Sequence, residues 1–291
     1  MTELRDRAVA LYDAFTHDHH DRRTLLKQMT ALAGSVAAAE ALIIGIAASP
    51  AGAAVIDPAD PRLRIETVTG EEAGKPSRAY VATPAKAKGK RGTVFVIHEN
   101  RGLTPHIQDV ARRVALAGFT AIAPDLLAPQ GGTPTDEDRA RTLIGTVDYD
   151  VALAQVAAMM AKASAQPTSS GKAGIVGFCW GGAFVNRFAI AAGTALAAGV
   201  SYYGPAPAPA EAAMVRTPLM LHYAGKDARV AATGLPWIEA LKAANKPVEA
   251  FTYPNVDHAF NNDTSAERYD AAAAALAWDR TIAFFHKQLD A

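Results

Sequence analysis

A lone cysteine stands between two glycines in Gly177-Phe178-Cys179-Trp180-Gly181, after an apolar run over 173–178 and before a Gly/Ala-rich stretch from Gly182. The pattern Gly-x-nucleophile-x-Gly marks a sharp strand-to-helix turn that pushes a nucleophile outward. Glycine is needed two residues before and two after, because backbone passes there too closely for a Cβ. A thiol attacks only as its thiolate, and a free cysteine has a pKa of about 8.5. It therefore needs a base and a favourable field. A helix opening at residue 180 supplies the field through its dipole. His258 can accept the proton, and Asp227 can fix the His258 tautomer and stabilise the imidazolium. Singly, each has a plainer reading: a small residue in a Gly-rich turn, a turn aspartate in Gly-Lys-Asp, a surface histidine. Together they favour nucleophilic chemistry.

Four reactive residues each need an element to position them. Residues 93–97 form a continuous apolar run, as expected of a strand buried on both faces, and Glu99 follows it. The run over 173–178 precedes Cys179. Further strands are expected over 119–123, 198–203, 218–223 and 248–253, the last two followed by Asp227 and His258. Helices are expected over 105–117, 137–144, 149–163, 235–245 and 266–289 between or after them. Such alternation predicts an α/β fold with a mostly parallel central sheet flanked by helices. Sites in such sheets lie beyond the carboxyl ends of the strands, where Glu99, Cys179, Asp227 and His258 all fall. Nucleophile, acid, histidine is also the chain order of the α/β-hydrolase fold. The oxyanion hole is then expected from the N–H groups of Trp180 and Asn100. Residues 62–69 and 79–83 read as paired strands with a turn over 70–76.

The 291 residues carry 29 basic and 29 acidic side chains with no basic stripe, and half are apolar, so a large core is expected and a nucleic-acid partner is not. One cysteine excludes an intrachain disulfide and a Cys-cluster metal site; neither cofactor nor metal is expected. Residues 1–60 read as an N-terminal extension and 61–291 as the main domain. Residues 2–18 can form an amphipathic helix, and the His-rich tract 17–21 reads as a polar linker, with metal binding as the alternative. Asp21-Arg22-Arg23-Thr24-Leu25-Leu26-Lys27, followed by an Ala-rich stretch to Ala48, resembles a twin-arginine export signal. Export to the periplasm is the expectation. The alternative is a retained helix capped by Asp21, docked on the domain or pairing two copies in a homodimer.

Gly-Phe-Cys-Trp-Gly-Gly at 177–182, Glu99 after the first central strand, Gly-Lys-Asp at Asp227 and Asp-His-Ala-Phe at His258 resemble the dienelactone hydrolase (carboxymethylenebutenolidase) family. The resemblance spans residues 62–289, with Ala-Pro-Asp-Leu at 123–126 and Ser-Tyr-Tyr-Gly at 201–204. It implies hydrolysis of a small ester or lactone by a Cys-His-Asp triad through a thioester. It also implies that Glu99 contacts the resting thiol until substrate displaces it. The family enzyme holds a substrate carboxylate with two arginines. One lies four residues after the catalytic His, where this chain has Asn262. The other falls near Arg139 or Arg141. An amide cannot replace a bidentate guanidinium, so a neutral or differently shaped substrate is open. A nucleotide-binding domain lacks its glycine fingerprint, and His98-Glu99 with His106 does not make His-Glu-x-x-His. A non-catalytic binding protein of the same fold is the remaining alternative.

Overall fold

The computed structural model describes residues 2–17, 21–47, 55–86 and 88–290. The long strand-rich body begins with β1 (Leu63–Glu72) and β2 (Lys75–Pro84), then β3 (Arg91–Ile97), β4 (Thr120–Pro124), β5 (Ser169–Phe178), β6 (Ala198–Tyr202), β7 (Leu219–Ala224) and β8 (Val248–Tyr253). They form one eight-stranded sheet in the order β1-β2-β4-β3-β5-β6-β7-β8. The β1–β2 and β2–β4 pairs are antiparallel, and every pair from β4 to β8 is parallel. The carboxyl ends of β3, β5, β7 and β8 therefore lie on one rim.

Six helices flank the sheet: α4 (Pro105–Leu116), α5 (Glu137–Ile144), α6 (Tyr149–Ser164), α7 (Trp180–Ala191), α8 (Ala228–Ala243) and α9 (Ala271–Leu289). Alternate residues of β3 show why its sequence is apolar throughout. Val94 and Val96 join the layer with Val110 of α4 and Phe285 of α9, whereas Phe95 and Ile97 join the layer with Val156, Phe184 and Trp237. Both faces are covered, as parallel sheets require.

Three boundaries differ from expectation. The β1–β2 strands run through Gly70 and Pro76 and reverse only at Ala73-Gly74, whose φ values are 50° and 73°, the left-handed pair of a tight hairpin turn. Helix α8 starts seven residues earlier than expected, because an Asp227 carboxylate oxygen accepts the Val230 N–H at 3.0 Å and caps it. Gly234 and Pro236 had masked those first turns. Helix α9 starts at Ala271, behind an Asp270 cap; the residues before it are turns along the rim.

The N-terminal region contains α1 (Thr2–His17), α2 (Arg22–Ala33) and α3 (Val36–Ile46). Asp21 caps α2 by accepting the Thr24 N–H at 2.8 Å, Gly34 ends it at φ 82°, and Ser35 caps α3. These helices share a separate apolar cluster that includes Val9, Tyr12, Phe15, Leu25, Met29 and Ile46. Much of their apolar surface is covered within the chain, while Leu4, Val36 and Ile44 stay exposed; no partner copy is present to support the expected homodimer. Among the described residues no single helix is long and apolar enough to cross a membrane. Most of the His-rich tract (18–20) and the small-residue stretch near a cleavage point (48–54) lie outside the described residues.

The elbow sets a steric limit that can be measured. A Cβ on Gly181 would lie 2.5 Å from the carbonyl oxygens of Ile97 and His98, which cannot move without breaking β3. Gly181→Ala should cost about 2–3 kcal/mol, at the upper end of overpacking penalties, read as a shift of the urea midpoint. An unchanged midpoint would show that the strand and helix are not in close register.

Candidate active site

Strand β5 ends at Phe178 and α7 begins at Trp180, so Cys179 alone makes the turn. It does so at φ 54° and ψ −113°, a conformation costing about 1–3 kcal/mol for a residue with a Cβ. Its N–H donates to the Tyr202 carbonyl at 3.0 Å and its carbonyl accepts the Ala183 N–H at 3.0 Å. Both backbone groups are satisfied, and the side chain is left facing the rim at 6% exposure. Tyr203, just after β6, and Ala259, just after His258, are also left-handed, at φ 38° and 65°.

His258 is 3% exposed. Its Nδ1 lies 2.5 Å from one Asp227 carboxylate oxygen, while the other carboxylate oxygen caps α8. Asp227 is thus fixed by the backbone while it orients the imidazole. His258 Nε2 is buried without a hydrogen-bond partner among the described residues. A ring nitrogen of His258, Cys179 Sγ and a ring nitrogen of His17 all lie within 4.8 Å of one another. The Tyr203 and His17 rings pack edge-on against His258, with centroids 4.9 and 4.7 Å away. Burial depresses the His258 pKa, but the negative charge of Cys179 as thiolate and the bond to Asp227 reverse that and push it up to about 10. Burial opposes ionisation of Asp227, yet the His258 bond and charge, with the Val230 N–H, hold its carboxyl below the usual range.

Glu99 is 9% exposed. Its Oε2 accepts a hydrogen bond from Asn262 Nδ2 at 2.9 Å, and its Oε1 is buried without a partner among the described residues. Asn262 Oδ1 accepts in turn from the Thr264 N–H at 3.1 Å and its hydroxyl at 2.6 Å. Asn262 is therefore a bracket for Glu99; it does not line the cavity beside the thiol. Trp180 opens α7, so its N–H belongs to the first helical turn, which has no intrahelical acceptor. Its ring lies parallel to His98 at 5.7 Å and also walls the cavity. Asn100 sits one residue past Glu99, with its amide donating to the Thr16 carbonyl at 3.2 Å.

A cavity of about 890 Å³ opens beside Cys179, walled by Trp180, Tyr149, Phe15 and His17 and by Arg141, Arg187 and Arg229. Of the two expected arginines, Arg141 lies in this wall with its guanidinium 3.8 Å above the Phe15 ring. Arg139 does not line it; its backbone N–H caps α5 on Asp136 at 2.9 Å, and its side chain is exposed. Arg187 lies in the middle of a helix away from any motif, and Arg229, two residues after Asp227, has no spacing that marks it as a cavity residue.

Helix α1 is the larger omission. It is tied to residues next to three of the four reactive ones. Tyr12 Oη accepts from Arg101 at 2.6 Å, and the Thr16 carbonyl from Asn100, both beside Glu99. Asp6 pairs with Lys226, beside Asp227, at 3.1 Å. Arg5 pairs with Asp257, beside His258, at 2.8 Å. The amphipathic spacing of α1 was readable, but its polar face carried no sign of where it docks. His98 and His106 are engaged elsewhere. His98 Nδ1 lies 2.7 Å from the Glu99 carbonyl and its Nε2 accepts the Leu126 N–H at 3.2 Å, while His106 Nδ1 lies 3.0 Å from Asp263.

A mostly parallel sheet with an elbow nucleophile position and an acid and histidine after later strands defines a hydrolase of the α/β-hydrolase superfamily. The comparisons narrow this. Residues 77–289 match the model of the dienelactone hydrolase family. A protein of Escherichia coli (strain K12), provisionally named a carboxymethylenebutenolidase, is 31% identical over 254 residues, covering 82% of this chain and 93% of its own. The carboxymethylenebutenolidase of Pseudomonas putida is 32% identical over 71% of this chain and 89% of its own. A crystal structure from Klebsiella pneumoniae subsp. pneumoniae MGH 78578, provisionally described as a dienelactone hydrolase, superposes with a TM-score of 0.71 at 30% identity, covering 77% of this chain and 99% of its own. The chain belongs to the dienelactone hydrolase family, and the non-catalytic alternative is not favoured.

The electrostatic balance at His258 is testable. In Cys179→Ala the largest influence raising its pKa is gone, so its NMR titration midpoint should fall well below about 10. In the wild type, the stability that this raised pKa contributes should be complete below about pH 6.5, the ordinary His value. It should be lost as pH rises through about 10. An unmoved His258 midpoint in the alanine variant would remove the thiolate from the account.

Proposed function

We propose that this protein hydrolyses a carboxylic ester or lactone through a Cys179–His258–Asp227 triad and a thioester intermediate. The observation that carries the reading is Cys179 at a left-handed elbow, its sulfur near an imidazole that Asp227 orients, at the wall of a substrate-sized cavity. When substrate displaces Glu99, the Cys179 thiol passes its proton to His258 Nε2 and the thiolate attacks the carbonyl carbon; the resulting oxyanion is met by the N–H groups of Trp180 and Asn100. His258 Nε2 donates its proton to the departing alkoxide, leaving an S-acyl enzyme. His258, now neutral, takes a proton from water as that water attacks the thioester; collapse releases the acid and expels Sγ, which takes the proton back from His258. Glu99, held by Asn262 with one free oxygen, is assigned the resting contact to the thiol that substrate displaces. Buried and half unpaired, it is a group that gains from moving.

The substrate we favour carries negative charge. Three arginines, Arg141, Arg187 and Arg229, face the cavity against one carboxylate, Asp21. These positions replace the one that Asn262 leaves empty of charge. We further propose that α1 stays in place in the working enzyme. If residues up to the small-residue stretch were removed on export, the cavity would lose Phe15, Thr16 and His17 and the rim its ties to Tyr12, Asp6 and Arg5. Mass spectrometry of the mature N-terminus from periplasmic and cytoplasmic fractions tests this.

Cys179→Ala and His258→Ala should abolish turnover of p-nitrophenyl acetate, and Cys179→Ser should retain little. Wild-type-like rates in either alanine variant would end the assignment. Arg187→Gln should raise KM for an acidic aryl ester about 2–5-fold, the yield of an exposed charge pair worth up to about 1 kcal/mol, and leave a neutral ester unchanged.

A further inference from the structure

We propose that His17, Cys179 and His258 form a site for a soft divalent cation of the Zn²⁺ class, and that its occupancy reversibly blocks the enzyme. Three observations converge. First, the donor set is one sulfur and two imidazole nitrogens, all within 4.8 Å of one another. Thiolate with imidazole selects zinc and its soft neighbours over magnesium or calcium. Second, both imidazoles present a nitrogen that no other hydrogen bond holds. His17 Nε2 and His258 Nε2 are both buried without a hydrogen-bond partner among the described residues. Third, the outer support that metal-bound histidines need is already built. His258 Nδ1 is held by Asp227 at 2.5 Å, the carboxylate–imidazole pair that fixes tautomer and orientation at zinc centres.

The geometry needs a small closure. Zinc bonds of about 2.0–2.3 Å in a tetrahedron separate neighbouring donors by about 3.3–3.8 Å, so donors within 4.8 Å of one another need to close by about 1 Å at most. His17 is the last residue of α1. The fourth coordination position would face the cavity, as at open zinc sites. Binding exchanges one charge partner for another. The proton on His258 Nε2 leaves to solvent, and the cation replaces it beside the thiolate. Sγ can then no longer attack, and Nε2 can no longer carry a proton. His98 and His106 cannot substitute, since His98 has both ring nitrogens engaged and His106 faces Asp263.

The site stands on coordination geometry, and the block of activity rests on the triad reading above; the two are tested separately. Full-length, reduced, EDTA-treated protein is titrated with Co²⁺ and then Zn²⁺. The expected result is one cation per chain, a sulfur-to-cobalt charge-transfer band that Zn²⁺ abolishes, and loss of p-nitrophenyl acetate hydrolysis that EDTA restores. His17→Gln should weaken Zn²⁺ binding by about tenfold or more, since loss of even an outer-shell partner typically costs 10–100-fold. His17→Cys, which keeps a soft donor, should recover it. Inhibition is scored against each variant's own metal-free rate, with melting curves confirming that both fold. A Gln variant that holds Zn²⁺ as tightly as the wild type, or a wild type with no sulfur-to-cobalt band, overturns the site. Binding with the expected His17 dependence but undiminished hydrolysis overturns the block and, with it, the role of Cys179, while leaving the coordination intact.

Discussion

One backbone turn, made by Cys179 alone, sets the position of everything on the rim. A left-handed cysteine is unfavourable by about 1–3 kcal/mol and persists only where its surroundings leave no alternative. Here β5 and α7 are pressed together at Gly177 and Gly181, and β3 lies close enough that a methyl on Gly181 would strike it. The hydrogen bonds to Tyr202 and Ala183 hold the two sides. The parallel register of β3, β5, β6, β7 and β8 then brings residues distant in sequence to the same level. The strain at the elbow is supported by the whole sheet.

The charges on this rim are kept out of water and must stabilise one another. Asp227 and His258 form one close pair. Among the described residues Glu99 is bonded at one oxygen only, and an unpaired buried acceptor costs about 1–3 kcal/mol. Asp13 on α1 is pushed up by burial, while the neighbouring His258 and Arg268 favour its charge. Arg101 is buried between Tyr12 and Glu137. Such a network is stiff when complete and sensitive to the loss of any member. The helix that covers the rim is therefore electrostatically part of it.

Most of the sheet was legible because apolar runs such as 93–97 and 173–178 have no other use than burial on both faces. The four reactive residues were legible because each follows such a run. What the sequence concealed had specific causes. Pro236 and Gly234 masked the start of α8, although Asp227 was its cap. Asn262 looked like a lost substrate contact because its position in the chain suggested one; only the fold reveals that its amide meets Glu99. Arg187 and Arg229 are surface arginines by every local measure and become cavity residues through the packing of α7 and α8. The place of α1 depends on pairs more than 200 residues apart, such as Asp6 with Lys226, which no local pattern encodes.

The wall that α1 provides is joined to the body in a particular way. Helices α1–α3 have their own apolar cluster, and the ties of α1 to the rim run through side chains and one carbonyl rather than through the sheet ladder. One wall of the cavity and the elbow that presents the sulfur are thus held by different kinds of contact. A changed N-terminal segment can reshape what reaches the sulfur without disturbing the turn that presents it. Variation in that wall can proceed by changing the N-terminal helices instead of rebuilding the sheet.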